Sequence, residues 1–228
     1  MTARSGVVAI GVAILLAACA STPPPPDWQM NAKDSLDRSV AAYLQGNSRV
    51  EAVEFARARA ELARTARADL LARAELTRCA ARVASLVFEP CAGFTALAQD
   101  ASAAERAYAD YLAGKIDAKD AALLPEQHRA VASATATASA PATAVTGIAD
   151  PLARLIAAGV LMQSARAEPA VMAVAVDTAS AQGWSRPLLA WLNVQLLRAE
   201  AAGQVDDAAR LRRRIGLVLG TAAVRAAP

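Results

Sequence analysis

Aromatic side chains make up only 4% of the 228 residues, histidine occurs once, and cysteine three times. Runs that alternate Val, Ile, Thr or aromatics with polar residues are nearly absent. That last absence excludes a half-buried sheet, whose strands require the two-residue period. The shortage of aromatics excludes a core resting on a few large anchors. No set of His, Cys and carboxylate residues stands at metal-ligand spacing, and no Gly-rich phosphate loop of the P-loop or dinucleotide type occurs. Any Ser-His-Asp or Cys-His site would have to be built on His128, which follows Pro125, lies beside Arg129 and reads as an exposed or capping histidine on a surface turn. The adjacent acids Asp206 and Asp207 fall at a helix start, where carboxylates oppose the positive end of the dipole, a capping role rather than acid–base chemistry. No catalytic residue, metal site or cofactor is assigned, and the expectation is a protein that is not an enzyme.

What is abundant is alanine, about a quarter of the chain. Alanine has the highest helix propensity and buries little area. Stability must therefore come from many helices in close approach, and the fold class reads as all-α. The formal net charge is +3. Most arginines are interleaved with acids at helical spacing: Glu54/Arg57, Glu61/Arg64, Asp69/Arg73 and Glu75/Arg78. Such pairs contribute a few tenths of a kcal/mol each and read as a solvated helix face. A sequence pI near 9.0 does not point to nucleic acid here.

The N-terminal segment is the most specific. Arg4 gives a short positive region, Gly6 to Leu15 is apolar, and Leu16-Ala17-Ala18-Cys19 closes the run among small residues. About 13 apolar residues at 1.5 Å rise reach roughly 20 Å, short of the ~30 Å hydrocarbon layer, which argues against a retained membrane helix. Leu16-Ala17-Ala18-Cys19 resembles the lipobox of bacterial lipoprotein signal peptides. That resemblance implies cleavage before Cys19 and acylation of its sulfur and new amino group, the covalent lipid being the only prosthetic group expected. Several acyl chains anchor far more firmly than one. Ala20, where the enterobacterial sorting pattern places Asp in proteins kept at the inner membrane, implies anchoring in the outer membrane at its periplasmic face. Pro23 to Pro26 read as a polyproline spacer rising about 3.1 Å per residue, rather than as a ligand for a proline-recognition domain.

With Cys19 lipidated, Cys79 and Cys91 form the only remaining pair, in a compartment where disulfides persist. Closing a loop of about a dozen residues is worth roughly 3 kcal/mol in the chain-entropy model. The bridge requires the chain to double back near Glu89-Pro90, and Pro90 biases its predecessor out of helix.

The organisation reads as a signal peptide over 1–18, a lipidated cysteine and spacer over 19–27, an N-terminal helical subdomain over 28–132, an Ala/Ser/Thr/Pro linker over 133–147 and a four-helix C-terminal subdomain over 148–222. The first helix runs from about Trp28 to Gln45 and stops at Gly46-Asn47. Ser48-Arg49-Val50-Glu51 reads as a capping box opening the next. Its apolar stripe changes sides between Ala63 and Leu76, so a break is expected near Thr65 to Asp69, with Asp69 capping the second piece. Ser102 to Glu105 repeats the capping-box pattern, and that helix ends at Gly114. Pro125 opens another. The C-terminal helices start at Pro151, Pro169, Pro187 and Val205, with short connections that make antiparallel hairpins.

Tyr43 to Asn47 and Tyr111 to Lys115 are similar turns whose glycines lie 68 residues apart, and Gly203 is followed five residues on by Ala208. These patches resemble the inner turn of tetratricopeptide repeats, whose period is about 34 residues. Two architectures share this content: a degenerate solenoid of that kind, and a plain bundle of Gly-terminated hairpins. Trp184 and Trp191 read as core anchors of the C-terminal part, and Trp28 as a plug for the first helix.

Arg210, Arg212, Arg213 and Arg214, reinforced by Arg225, form the densest basic cluster. The functional expectation is an outer-membrane lipoprotein whose helical body is a scaffold or adaptor for an envelope protein. The alternative is a module that binds cell-wall polymer or lipid head groups through those arginines.

Overall fold

The computed structural model describes residues 24–135 and 142–226, with the side chains of 135 and 221–226 left aside. The lipobox with Cys19, Pro23 and the centre of the expected linker lie outside these residues. All regular structure among the described residues is helical, as the alanine content and the missing strand period require. Eleven α-helices are described: α1 (Asp27–Leu44), α2 (Ser48–Ala63), α3 (Ala68–Ala84), α4 (Ala92–Thr95), α5 (Ala103–Leu112), α6 (Glu126–Thr135), α7 (Ala142–Thr146), α8 (Pro151–Gln163), α9 (Pro169–Ala181), α10 (Ser185–Ala201) and α11 (Val205–Ala226). A 3-10 helix over Ala118–Leu123, with no counterpart in the sequence reading, joins α5 to α6.

The helices α1, α2 and α3 run up, down and up. Arg38 on α1 pairs with Glu54 on α2, Ser39 donates to the Glu51 carbonyl, and Arg59 and Arg78 pair with Glu75 and Glu51 across α2 and α3. The expected break falls at residues 64–67, where Ala66 takes φ 54°. Its cap differs from expectation: α3 starts at Ala68 with Arg67 as N-cap, and Asp69 sits in the first turn, bonded to the Arg67 guanidinium at 2.7 Å. The start of α2 differs too. Asn47, not Ser48, is the N-cap and accepts from the Val50 N–H at 3.1 Å, because Glu51 is turned inward to α3 and cannot close a box. At Ser102 the box is complete.

Chain ends of the helices are tightly specified. Gly46, Gly114, Gly183 and Gly203 all have positive φ, and each closes paired hydrogen bonds to the last turn. The Gly46 N–H reaches Tyr43 O and the Asn47 N–H reaches Ala42 O, the Schellman arrangement that satisfies orphan carbonyls. Leu86 and Ala165 end α3 and α8 in the same conformation without being glycine.

One buried cluster runs from Ala72 in α3 to Leu211 in α11, so residues on both sides of the expected linker share a core. Residues 142–146 are helical and Val145 is fully buried, so this part of the 133–147 stretch is not the surface loop its composition suggests. The Val145 side chain fills the apolar cluster, and that outweighs the low complexity of its neighbours.

The centre of that core is the α3–α8 crossing. Alanines 72, 84, 157 and 158 are fully buried, and Gly159 lies so close to the Val83 carbonyl that a Cβ there would collide with backbone. Trp191 of α10, completely buried, donates from Nε1 to the Ala84 carbonyl at 3.1 Å, satisfying an end carbonyl of α3. Gly159→Ala gains about 1 kcal/mol of helix propensity but forces two backbones apart, and overpacking costs about 1–3 kcal/mol. We expect Gly159→Ala to lower urea-unfolding stability, while Gly216→Ala in α11, with nothing within 4 Å of the new Cβ, raises it by up to about 1 kcal/mol. Equal effects at the two positions would refute the close crossing.

Candidate functional site

The basic cluster lies on the hairpin of α10 and α11. Helix α11 turns Ala208 and Leu211 inward, with Ile215 and Val218 beside them, and packs chiefly on α10. At roughly 100° per residue, Arg213 falls opposite this stripe, Arg210 lies toward the same solvent side, and Arg212 and Arg214 flank it. Arg210 and Arg213 therefore share the outward arc, with Arg212 and Arg214 at its two opposite edges. Arg210 is held by Asp207 at 2.9 Å, one turn back, and Arg212 by Glu200 on α10 at 2.5 Å. Arg213 and Arg214 have no acidic partner among the described residues. Arg225 belongs to helix α11, but its side chain is outside the described set.

Charge is unevenly distributed. Residues 185–226 carry seven arginines against three carboxylates, a net +4 in a chain whose total is +3. Large apolar residues stand among those charges on the outer surface: Leu197 is 64% exposed, Val205 76%, Leu217 73% and Leu219 52%. Nothing in the composition marks these four, since exposure follows from α11 having a neighbour on one side only.

The other end of this hairpin is firmly seated. Arg186 donates from Nε to the Tyr43 carbonyl at 2.6 Å and from Nη2 to Ser48 Oγ at 2.8 Å, and Ser185 Oγ donates to the Gln45 carbonyl at 2.9 Å. The Tyr43 ring is flanked by the guanidiniums of Arg186 and Arg82, at 4.3 and 5.3 Å from its centroid. The start of α10 thus rests on the α1–α2 turn. Trp184 is half-buried between the two cores and caps α10, whereas Trp191 is the anchor expected of it. Trp28 packs on the cluster of Ala32, Phe55, Leu62 and Ala74.

Cys79 and Cys91 are joined by a disulfide, with Cα atoms 5.9 Å apart, tying the middle of α3 to the N-cap of α4.

His128 corrects the sequence reading. It is almost fully buried, not on a surface turn, because α6 lays it against α5. Its Nδ1 is 3.2 Å from the Tyr111 hydroxyl, and its ring lies 5.0 Å from Tyr111 and 5.8 Å from Tyr108. Burial pushes the imidazole down to about 4, against a smaller opposing pull from Asp150. Burial likewise raises both tyrosines, so both keep their protons, and the Tyr111 hydroxyl shares one hydrogen bond with Nδ1 whose direction follows the imidazole tautomer. A neutral His between two tyrosines is a packing element with one satisfied polar contact. Among the described residues, no group of three or more His, Cys, Asp or Glu side chains is placed to hold a metal ion.

No family model, curated protein or solved structure is significantly similar to this chain.

The depressed His128 has a consequence for stability. The folded state resists a proton that the unfolded chain accepts near pH 6.5, so stability is full above that value and falls as pH drops toward 4. Between pH 7 and 5 this single group accounts for about 2 kcal/mol. Urea unfolding of His128→Phe should show that much less loss over the same interval than the wild type. An identical loss in both proteins would show that His128 is not the group that resists the proton.

Proposed function

We propose that this protein is an outer-membrane lipoprotein, acylated at Cys19, whose helical body is a scaffold for an envelope protein at the periplasmic face. The observation that carries the reading is Leu16-Ala17-Ala18-Cys19 at the end of a short apolar run. The described chain supports it. Pro26 has φ −57° and ψ 147°, polyproline values, and α1 begins at the next residue. The Cys79–Cys91 disulfide fits an oxidising compartment. Stacked helical hairpins offer faces for partner helices or peptides, an inference from architecture.

Two measurements test the two halves of this reading. Labelled palmitate should enter the wild type and not Cys19→Ala; equal labelling overturns the lipid anchor. Cross-linking in intact cells should give a discrete adduct with one envelope protein, retained in Cys19→Ala if that variant is exported. A protein that cross-links to nothing, although folded and exported, is not an adaptor.

A further inference from the structure

We infer that the outer face of the α10–α11 hairpin is a docking surface for an anionic phospholipid bilayer, with Arg213 and Arg214 as its uncommitted cations and Leu217, between them, as its inserting side chain.

Three observations carry this. The positive excess of the chain resides in residues 185–226, so the complementary surface is anionic. Of the four arginines on the arc, Arg210 and Arg212 are engaged by Asp207 and Glu200, while Arg213 and Arg214 have no acidic partner among the described residues. Their guanidiniums are free to meet phosphate oxygens, which they bind in a planar fork. Leu217 stands one turn from Arg213 and three residues from Arg214, so it lies on the helix face between the two uncommitted cations, whereas Leu219, two residues further on, is on the other side beside the paired Arg212. Leu217 is 73% and Leu219 52% exposed.

The pattern favours a bilayer over a glycan or a protein groove. Glycans are gripped by hydrogen bonds and ring faces, and between its guanidiniums the arc offers a leucine. A partner helix seated in a groove needs a concave apolar bed, whereas the outward side of a helix is convex and Leu217 stands singly among charges. A convex face with a leucine between guanidiniums matches the head-group boundary, where arginines meet phosphates and an apolar tip enters the acyl layer. The inference does not depend on acylation at Cys19, so its failure and that of the lipid anchor are separable.

The test is a local one. In the full chain carrying Cys19→Ala, Leu217→Cys is labelled with an environment-sensitive thiol dye, the disulfide leaving that thiol alone free. Vesicles of zwitterionic phosphatidylcholine, with or without a third of phosphatidylglycerol, are then added. Dye emission should shift to the blue and rise roughly twofold only with the anionic vesicles, and the rise should fall away in high salt. Arg213→Gln with Arg214→Gln, which leaves both ion pairs intact, should weaken the half-saturating lipid concentration about 25-fold. The same dye at Leu123→Cys, exposed on the 3-10 helix, should not respond. The inference is overturned by an unchanged spectrum, by an equal response to zwitterionic vesicles or to inorganic phosphate, by a response at position 123, or by an unaltered titration in the double variant.

Discussion

Four glutamates are buried along α2, α3 and α5, and each is held by an arginine from a neighbouring helix. Glu51 meets Arg78 at 2.6 Å, Glu54 meets Arg38 at 2.9 Å, Glu75 meets Arg59 at 2.5 Å, and Glu105 meets Arg73 at 2.5 Å. A carboxylate in this setting is costly unless it is paired and hydrogen-bonded, so each clasp dictates which helix lies next to which and at what register. The arginine bond to Glu54 holds its carboxyl below the ordinary range. Burial pushes Glu105 up, and Arg73 with the Ser102 backbone and hydroxyl outweighs it, leaving the group lowered. Gly93 belongs to the same scheme: it sits against the Glu75 carboxylate, and a Cβ there would require that carboxylate to shift within its clasp.

Clasps of this kind suit an alanine-rich chain. Alanine contacts add little area each, so apolar burial alone specifies register weakly. Close approach supplies the density, at Ala58, Ala72, Ala84 and Gly159, and the charged pairs supply the direction. The seat of α10 repeats the logic with a cation over a ring: Arg186 covers Tyr43 while satisfying the Tyr43 carbonyl. The chain's net positive charge is then left on the last hairpin, the part with least packing around it.

The helices were legible because their punctuation is local. Gly46, Gly114, Pro151, Pro169, Gly183 and Gly203 act through their own backbone, and all stand at helix ends. The break between α2 and α3 was legible from a stripe that changes sides. The Cys79–Cys91 pair followed from there being no other. What stayed hidden depends on partners distant in sequence. Glu75 has Arg78 one turn away and bonds Arg59 instead, and Arg73 passes over Asp69 for Glu105, because the neighbouring helix faces them where the solvent was expected. In sequence His128 reads as a surface-turn residue for the same reason: its two tyrosines lie 17 and 20 residues earlier, and only folding brings them over it. The outward arginines of α11 were visible as a cluster, but the leucine between them was not, since a helix with one neighbour exposes residues that a helix with two would bury.

The central claim is that an arginine on one helix keeps a buried carboxylate on the next, and Arg59 with Glu75 is the cleanest pair to ask. Glu75 is buried, Arg59 is about half exposed, and the pair is the only ion pair described for either residue. Breaking a fully buried pair costs about 3–5 kcal/mol, and partial exposure of the arginine reduces that to about 2. The measurement is a double-mutant cycle in urea unfolding with Arg59→Met, Glu75→Met and both together. A loss of about 2 kcal/mol in Arg59→Met, largely recovered when Glu75→Met is added, is the expected result. A loss below about 0.5 kcal/mol, with the two substitutions simply additive, would contradict it and leave alanine packing alone to set the register.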